Sequence, residues 1–176
     1  RLWPDNAAAR FLAAQAAEQL GDFDRAISEY RESLRAEAAS TEAGLALARL
    51  YADEGAHAAA LDAAGRYVRT HRADPEGYLL AIRMAHQMGR HEVVVEGLTK
   101  LSQVPGQAGT ALAEEVTLLA ADKGPAVALE AVDRSPLDLA DPAHAAAHEN
   151  HLRQTQMAAE PAFVADYQRH TSGLTG

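Results

Sequence analysis

The chain of 176 residues contains no cysteine, which excludes disulfide scaffolds, thiolate metal sites and cysteine nucleophiles. Aromatic residues make up only 5% of it, so its core has to be built from small side chains packed closely together. No apolar run approaches the roughly 18 residues that a membrane span needs. The formal net charge is −9, so we expect no nucleic-acid partner, and an anionic membrane surface would be a poor one.

The chain is rich in alanine, with 41 residues. Alanine is the best helix former and a poor strand former. Hydrophobic residues make up 48%, enough to build a core and to argue against wholesale disorder. The basic residues are 14 Arg and 2 Lys, which together with the alanine content is typical of a GC-rich bacterial genome. The sequence does not decide the cellular compartment; we favour the cytoplasm, and the periplasm is the alternative. The chain has no initiator Met, and we expect it to be one piece of a longer protein.

Three glycines divide the first part of the chain at a constant spacing of 34 residues: Gly21, Gly55 and Gly89. Each follows about 14 helix-forming residues, which predicts three repeats over 7–40, 41–74 and 75–108, each with a helix A, a turn at the glycine and a helix B. Asp74 followed by Pro75 is the pattern of a helix start. The predicted helices span 7–20, 23–37, 41–54, 57–71, 75–88 and 91–102.

The period and the segment GDFDRAISEYRESL from Gly21 to Leu34 resemble the tetratricopeptide repeat (TPR) family. The resemblance implies an all-α fold, a right-handed superhelix or α-solenoid of helix-turn-helix hairpins. It also implies that small residues meet where helices A and B touch, Ala14 with Ala26 and Ala48 with Ala60. Some positions depart from the family pattern: Tyr67, Ile82, Val94 and Leu101 stand where small residues are usual. The run of valines at 93–95 could be a strand, but its register behind Gly89 favours a helix.

The two ends of the chain follow the repeat less closely. We expect residues 1–6 to be the end of a preceding repeat, because Pro4 falls where the family usually has proline and Trp3 would end a helix B; an ordinary turn before an N-cap at Asp5 is the alternative. Residues 109–133 form a degenerate fourth repeat, with a helix over 110–123 ending at Gly124. We expect residues 134–176 to form C-terminal helices, either a degenerate hairpin or a polar cap.

By the same resemblance, helix A lines a concave groove. Phe11, Leu45 and Leu79 would form an apolar stripe along it, with Arg49 and Arg83 one repeat apart beside the stripe. Such a groove suits an amphipathic helix or an extended peptide that bears a carboxylate. The predicted partner-binding residues are Phe11, Gln15, Leu45, Arg49, Leu79, Arg83 and His86.

The alternative interpretation of these residues is structural. Arg49 would then pair with Asp53 four residues later, and the leucines would pack between repeats. The Lys and Asn pattern of the family's carboxylate-clamp members is absent, so binding to chaperone C-termini is not indicated.

Two further groups of residues are weaker candidates. His144, His148 and His151 share one helix face, but a single helix rarely completes a zinc site, so we expect a solvated polar face and no metal. Glu114 and Glu115 are adjacent acids, which we likewise interpret as solvent-facing. No P-loop, nucleophile elbow or dinucleotide fingerprint is present, so we expect no enzyme activity and no cofactor.

The sequence thus predicts a non-catalytic module that binds a protein or peptide in a concave groove. Two alternatives remain: an accessory domain of a larger bacterial enzyme such as a transferase, and a self-assembling scaffold in which the ends of the solenoid stack on other copies.

Overall fold

The computed structural model describes residues 6–37, 41–124, 127, 128 and 131. Regular structure in these residues is entirely helical, which confirms the all-α prediction. In chain order the helices are α1 (Ala7–Gln19), α2 (Phe23–Ala36), α3 (Thr41–Asp53), α4 (His57–Thr70), α5 (Pro75–Gln87), α6 (His91–Ser102) and α7 (Ala108–Lys123). The first six begin where the sequence predicts and end within one residue of the predicted position, and the valines at 93–95 are helical. Helix α7 begins two residues before its predicted start.

One turn is repeated at the end of α1, α3 and α5. Gly21, Gly55 and Gly89 have φ of 74°, 72° and 66°, the left-handed conformation that glycine adopts without a steric penalty. The backbone N–H after each glycine donates to the carbonyl five residues earlier: Asp22 to Ala17 at 2.9 Å, Ala56 to Tyr51 at 2.8 Å and Arg90 to Ala85 at 2.8 Å. These bonds satisfy carbonyls that a helix end leaves free, so each glycine fixes the reversal from helix A to helix B.

Polar caps fix several helix starts. The Asn6 side chain accepts from the backbone N–H of Ala9 at 3.1 Å, so the N-cap of α1 is Asn6. The Asp22 carboxylate caps α2 through the N–H of Arg25 at 3.3 Å. Asp74 caps α5, with Pro75 in its first turn, as the sequence predicts.

The contacts within the chain form two compact units, Arg1–Val94 and Val95–Gly176, and their boundary falls inside α6. In the first unit α1 packs on α2, α2 on α3, α3 on α4 and α4 on α5. Ala14, Ala26, Ala48 and Ala60 are all 0% exposed, which confirms that small side chains occupy the contacts between helices A and B. Larger side chains complete the core of this unit: Tyr30, Leu47, Leu50, Tyr51 and Met84.

The second unit is described over residues 95–124 and at 127, 128 and 131. Leu101 and Val116 are 0% exposed, and Leu112 is buried as well. Gly124, with φ of 89°, ends α7, as predicted. Residues 127, 128 and 131 are helical, in agreement with a helix B after Gly124. The predicted division into repeats 7–40, 41–74, 75–108 and 109–133 within one solenoid stays a prediction.

Candidate partner-binding face

The predicted groove residues lie on α1, α3 and α5, the three helices A of the first unit. Gln15, Arg49 and Arg83 occupy the same repeat position on successive helices, and all three side chains are exposed. They form a row of long polar side chains, one from each repeat. His86 lies near the end of α5 and is half-buried.

The predicted apolar stripe is less accessible than this polar row. Leu45 is only 9% exposed, so most of its surface packs inside the unit. Phe11 is half-buried, and the centroid of its ring lies 5.8 Å from that of Tyr30. Leu79 is half-buried. Phe11 and Leu79 therefore present part of their apolar surface outward, whereas Leu45 mainly serves the packing.

Arg49 is paired with an acid of the next repeat. Its guanidinium donates to the carboxylate of Glu76 at the start of α5, and not to Asp53 on its own helix, which was the alternative that the sequence offered. The side chains of Arg49 and Glu76 are 50% and 53% exposed. The pair thus links α3 to α5 on the surface and shows that a carboxylate fits against Arg49 from the neighbouring repeat.

A buried tyrosine lies beneath this pair, at the junction of the second and third repeats. Tyr67 is 4% exposed, and its hydroxyl donates to the carboxylate of Asp74. The other oxygen of Asp74 accepts the backbone N–H of Glu76 at 2.9 Å. Burial raises the pKa of Tyr67 above its usual value, and the hydrogen bond to Asp74 raises it further. Asp74 therefore ties α4 to the first turn of α5, where Glu76 meets Arg49.

Two glycines make room for the Tyr67 ring. A Cβ on Gly77 would lie 2.5 Å from Cδ1 of this ring, and a Cβ on Gly44 would lie 3.1 Å from Cδ2. The sequence shows Tyr67 only as a departure from the family pattern. The signal that could have identified its role is the pair of glycines inside two successive helices A, opposite one oversized residue.

The first hairpin uses a different arrangement at the equivalent place. Ser33 stands where the second repeat has Tyr67, is 0% exposed, and donates its hydroxyl to the carbonyl of Ala7 at 2.8 Å. Tyr30 donates its hydroxyl to Glu18 at 2.7 Å, and burial is the main cause that raises the pKa of Tyr30. The buried hydroxyl groups of Ser33 and Tyr30 are therefore both hydrogen-bonded within the first hairpin.

A cavity of about 190 Å³ opens beside Tyr67, and no residue of the polar row lines it. Its walls are mostly apolar, and its polar lining comes from the last turns of α4. The lining residues are Leu34, Gly44, Leu47, Ala63, Arg66, Tyr67, Thr70 and His71.

One interpretation in the second unit is wrong. The sequence predicts that both Glu114 and Glu115 face solvent. In the structure Glu115 is exposed, but Glu114 is only 1% exposed. Helix α7 is buried on nearly every side over this stretch, because Ala111, Leu112, Ala113 and Val116 are buried together with Glu114.

Several predicted features lie outside the described residues: Trp3 and Pro4, the C-terminal helices of 134–176, and the histidines His144, His148 and His151. Among the residues that are described, no three His, Asp or Glu side chains come together as a metal site would require. None of the helices in the described ranges is both long enough and apolar enough to cross a membrane.

No model of a known protein family matches the chain, and no curated protein matches it in sequence. Solved structures do match it. A crystal structure of the MamA protein has a TM-score of 0.62 at 15% identity and covers 96% of this chain and 91% of its own. YrrB, described as a TPR protein with an unusual peptide-binding site, has a TM-score of 0.57 at 12% identity, covering 97% of this chain and 87% of its own. PilF of Pseudomonas aeruginosa has a TM-score of 0.56 at 18% identity, covering 97% and 77%.

These comparisons place the chain among the proteins built from helical hairpin repeats. More specifically, its fold is that of the tetratricopeptide repeat proteins, as the sequence predicts.

Proposed function

We propose that the chain is a non-catalytic scaffold that holds an acidic peptide segment of a partner protein across the helices A of the first unit. The observation that carries this proposal is the exposed row of Gln15, Arg49 and Arg83, one side chain from each successive repeat. Rigid neighbouring hairpins set the shape of such a face before a partner arrives, which lowers the ordering cost of binding.

The contact between Arg49 and Glu76 indicates the chemistry of the partner. An arginine guanidinium can donate two parallel N–H hydrogen bonds to the two oxygens of a carboxylate, in a planar, bidentate arrangement. Glu76 already supplies one carboxylate there, so an aspartate, a glutamate or a C-terminal carboxylate of a peptide can join or replace it. The partly exposed Phe11 and Leu79 provide the apolar contacts that would accompany it. The peptide-binding site that is named for YrrB is consistent with a peptide as the ligand of this fold.

The test starts from a displayed peptide library selected against the whole chain. The selected peptides are then synthesised, and their affinities are measured by fluorescence anisotropy for the wild type and for single charge reversals. Arg49→Glu and Arg83→Glu should each weaken binding by about 5-fold to 30-fold, or about 1–2 kcal/mol, because these side chains are exposed and their contacts with a partner lie at the rim.

The matched control is Arg69→Glu on α4. Arg69 is exposed and lies on a helix B. Arg31 is a poorer control, because its guanidinium lies 5.7 Å from the ring centroid of Tyr51 and so contributes to the packing. If Arg69→Glu abolishes peptide binding while the Arg49 and Arg83 changes leave it intact, the face formed by the helices A is not the binding surface.

A further inference from the structure

The contact between Arg49 and Glu76 uses the same guanidinium that would bind a carboxylate of the partner. Oε1 of Glu76 accepts from Nη2 of Arg49. Nη2 is the nitrogen shared by the two edges of a guanidinium that bind a carboxylate bidentately. A ligand carboxylate at either edge would therefore lie close to the carboxylate of Glu76, and two like charges this close disfavour each other. Bidentate binding of a peptide carboxylate to Arg49 is easier once Glu76 has moved away.

Glu76 is held in position for this contact by the buried junction beneath it. Its backbone N–H donates to the carboxylate of Asp74 at 2.9 Å, and Asp74 accepts the hydroxyl of Tyr67. Burial is the main cause that raises the pKa of Tyr67; Asp74 and Glu76 raise this pKa further, and Arg49 lowers it. The charge pair thus lies close enough to act on the Tyr67 hydroxyl. Because its backbone is already fixed, Glu76 loses less conformational freedom on pairing than a carboxylate of a flexible segment would.

The preceding repeat carries the same acid without the arginine. Glu42 on α3 has the repeat position of Glu76 on α5, whereas the repeat position of Arg49 is held on α1 by the uncharged Gln15. Both glutamates are exposed and lie in the first turn of their helices, where the helix dipole favours an acid. The two repeats therefore offer a matched pair of acids, one with an arginine to occupy and one without.

We propose that Glu76 is an internal competitor for Arg49, which occupies the guanidinium in the free protein and is displaced when the acidic peptide binds. This inference rests on the proposed function, because it concerns the ligand of the same face. A small free carboxylate only exchanges one ion pair for another and gains little. A peptide that also places an apolar side chain against Phe11 or Leu79 gains a further contact, so Glu76 favours such a peptide over a small free acid.

The test compares substitutions that each remove one negative charge. Affinities for the selected acidic peptides are measured by fluorescence anisotropy in about 0.15 M salt, where the Debye length is about 8 Å. Glu76→Gln should bind these peptides about 2-fold to 5-fold more tightly than the wild type, or about 0.4–1 kcal/mol, because an exposed ion pair is weak.

Glu42→Gln is the matched control. Glu42 lies seven residues from Arg49 on α3, about 10 Å along the helix axis, so salt screens most of its effect on a carboxylate bound there. The affinity should change by less than about 1.5-fold. In an Arg49→Gln background, Glu76→Gln should have no larger effect than Glu42→Gln, because the guanidinium for which Glu76 competes has been removed.

Asp53 needs a separate control, because it lies one turn from Arg49 on α3 and could take the place of Glu76. Asp53→Asn should leave the affinity unchanged while Glu76 is present. The double variant Glu76→Gln/Asp53→Asn shows the full effect of removing the competitor, even if Asp53 replaces Glu76 in the single variant.

Three results would overturn the inference. In the first, Glu76→Gln weakens peptide binding, which would mean that Glu76 helps to hold the ligand. In the second, neither Glu76→Gln nor the double variant binds more tightly than Glu42→Gln. In the third, Glu76→Gln strengthens binding equally with and without Arg49. The proposed function still holds in these cases if Arg49→Glu weakens binding. If Arg49→Glu has no effect, the peptide does not use Arg49, and both the inference and this part of the proposed function are wrong.

Discussion

Replacing Gly77 by alanine should destabilise the protein, although alanine is normally the better helix residue. Gly77 lies in the first turn of α5, and removing a glycine from a helix can stabilise a protein by up to about 1 kcal/mol. Here the added Cβ would lie 2.5 Å from Cδ1 and 2.9 Å from Cε1 of Tyr67, and 2.8 Å from Cγ1 of Val68. These distances are far below van der Waals contact, so the ring or the helix has to move.

Three contacts hold the Tyr67 ring in its position beside the cavity. Its hydroxyl is held by Asp74, and its face is stacked on His71 with ring centroids 4.4 Å apart. Gly44 lies against its other edge, where a Cβ would be 3.1 Å away. Overpacking of this kind typically costs 1–3 kcal/mol. Three contacts under 3.0 Å put Gly77→Ala in the upper part of this range, at about 2–3 kcal/mol. After subtracting up to about 1 kcal/mol for the gain in helix propensity, we expect the substitution to lower the free energy of unfolding by about 1–2 kcal/mol, or about 2–8 °C in the melting temperature.

The control is the same substitution at Gly65 in α4, where an added Cβ would have nothing within 4 Å. Gly65→Ala should therefore stabilise the protein, by about 0.5–1 kcal/mol. Both variants are compared with the wild type by urea denaturation followed by circular dichroism. In a Tyr67→Ala background, Gly77→Ala should become neutral or stabilising, since its clash has been removed. The reasoning is refuted if Gly77→Ala and Gly65→Ala stabilise the protein equally.

The remaining predictions concern other buried groups of the first unit. Ala26→Leu should cost about 1–3 kcal/mol, because Ala26 is 0% exposed where α2 meets α1 and the contact would be overpacked; an unchanged urea midpoint would contradict this. Tyr67→Phe should make stability less sensitive to alkaline pH. The pKa of Tyr67 is raised in the folded state while an unfolded tyrosine titrates near about pH 10, so its contribution is complete below that pH and is lost as the pH rises above it. If the wild type and Tyr67→Phe lose stability in parallel from about pH 9 to about pH 11, Tyr67 is not the group responsible.

The helices of the first three repeats could be located from the sequence because local signals define them. Gly21, Gly55 and Gly89 each provide a left-handed turn, and Asp74 with Pro75 provides a helix start. Each of these signals involves residues close together in the chain, and the constant spacing of the glycines supplies the register. The ends of these helices are therefore predicted to within one residue.

The partners of the site residues depend on how successive repeats pack, which local signals do not determine. Arg49 had an acid four residues away on its own helix, Asp53, and another on the next helix A, Glu76. The choice of Glu76 follows from the position of α5 relative to α3, which is a long-range property. Similarly, the position of Leu45 in the repeat does not say how deeply it is buried.

Glu114 was misjudged for a different reason. Helix α7 has Ala, Leu and Val on nearly every side, so its hydrophobic pattern selects no single buried face. Adjacent residues on a helix point in different directions, so the two acids differ in their distance from the interior. Glu114 is the buried one, at 1% exposed, and Glu115 is exposed. This difference follows from the packing of the second unit, which the sequence pattern does not show.

The junction at Tyr67 shows how one departure from a repeat pattern can be compensated by others and can affect a surface. An aromatic ring at this position would block close packing, but Gly44 and Gly77 remove the side chains that it would meet. The ring then brings a hydroxyl to Asp74, and Asp74 fixes the first turn of α5 through the N–H of Glu76. Since Glu76 is the residue that pairs with Arg49, the packing of a buried tyrosine also positions a charge pair on the proposed binding face. A change at this junction should therefore alter the binding of an acidic peptide as well as the stability, whereas Gly65→Ala, which lies outside the junction, should alter the stability alone.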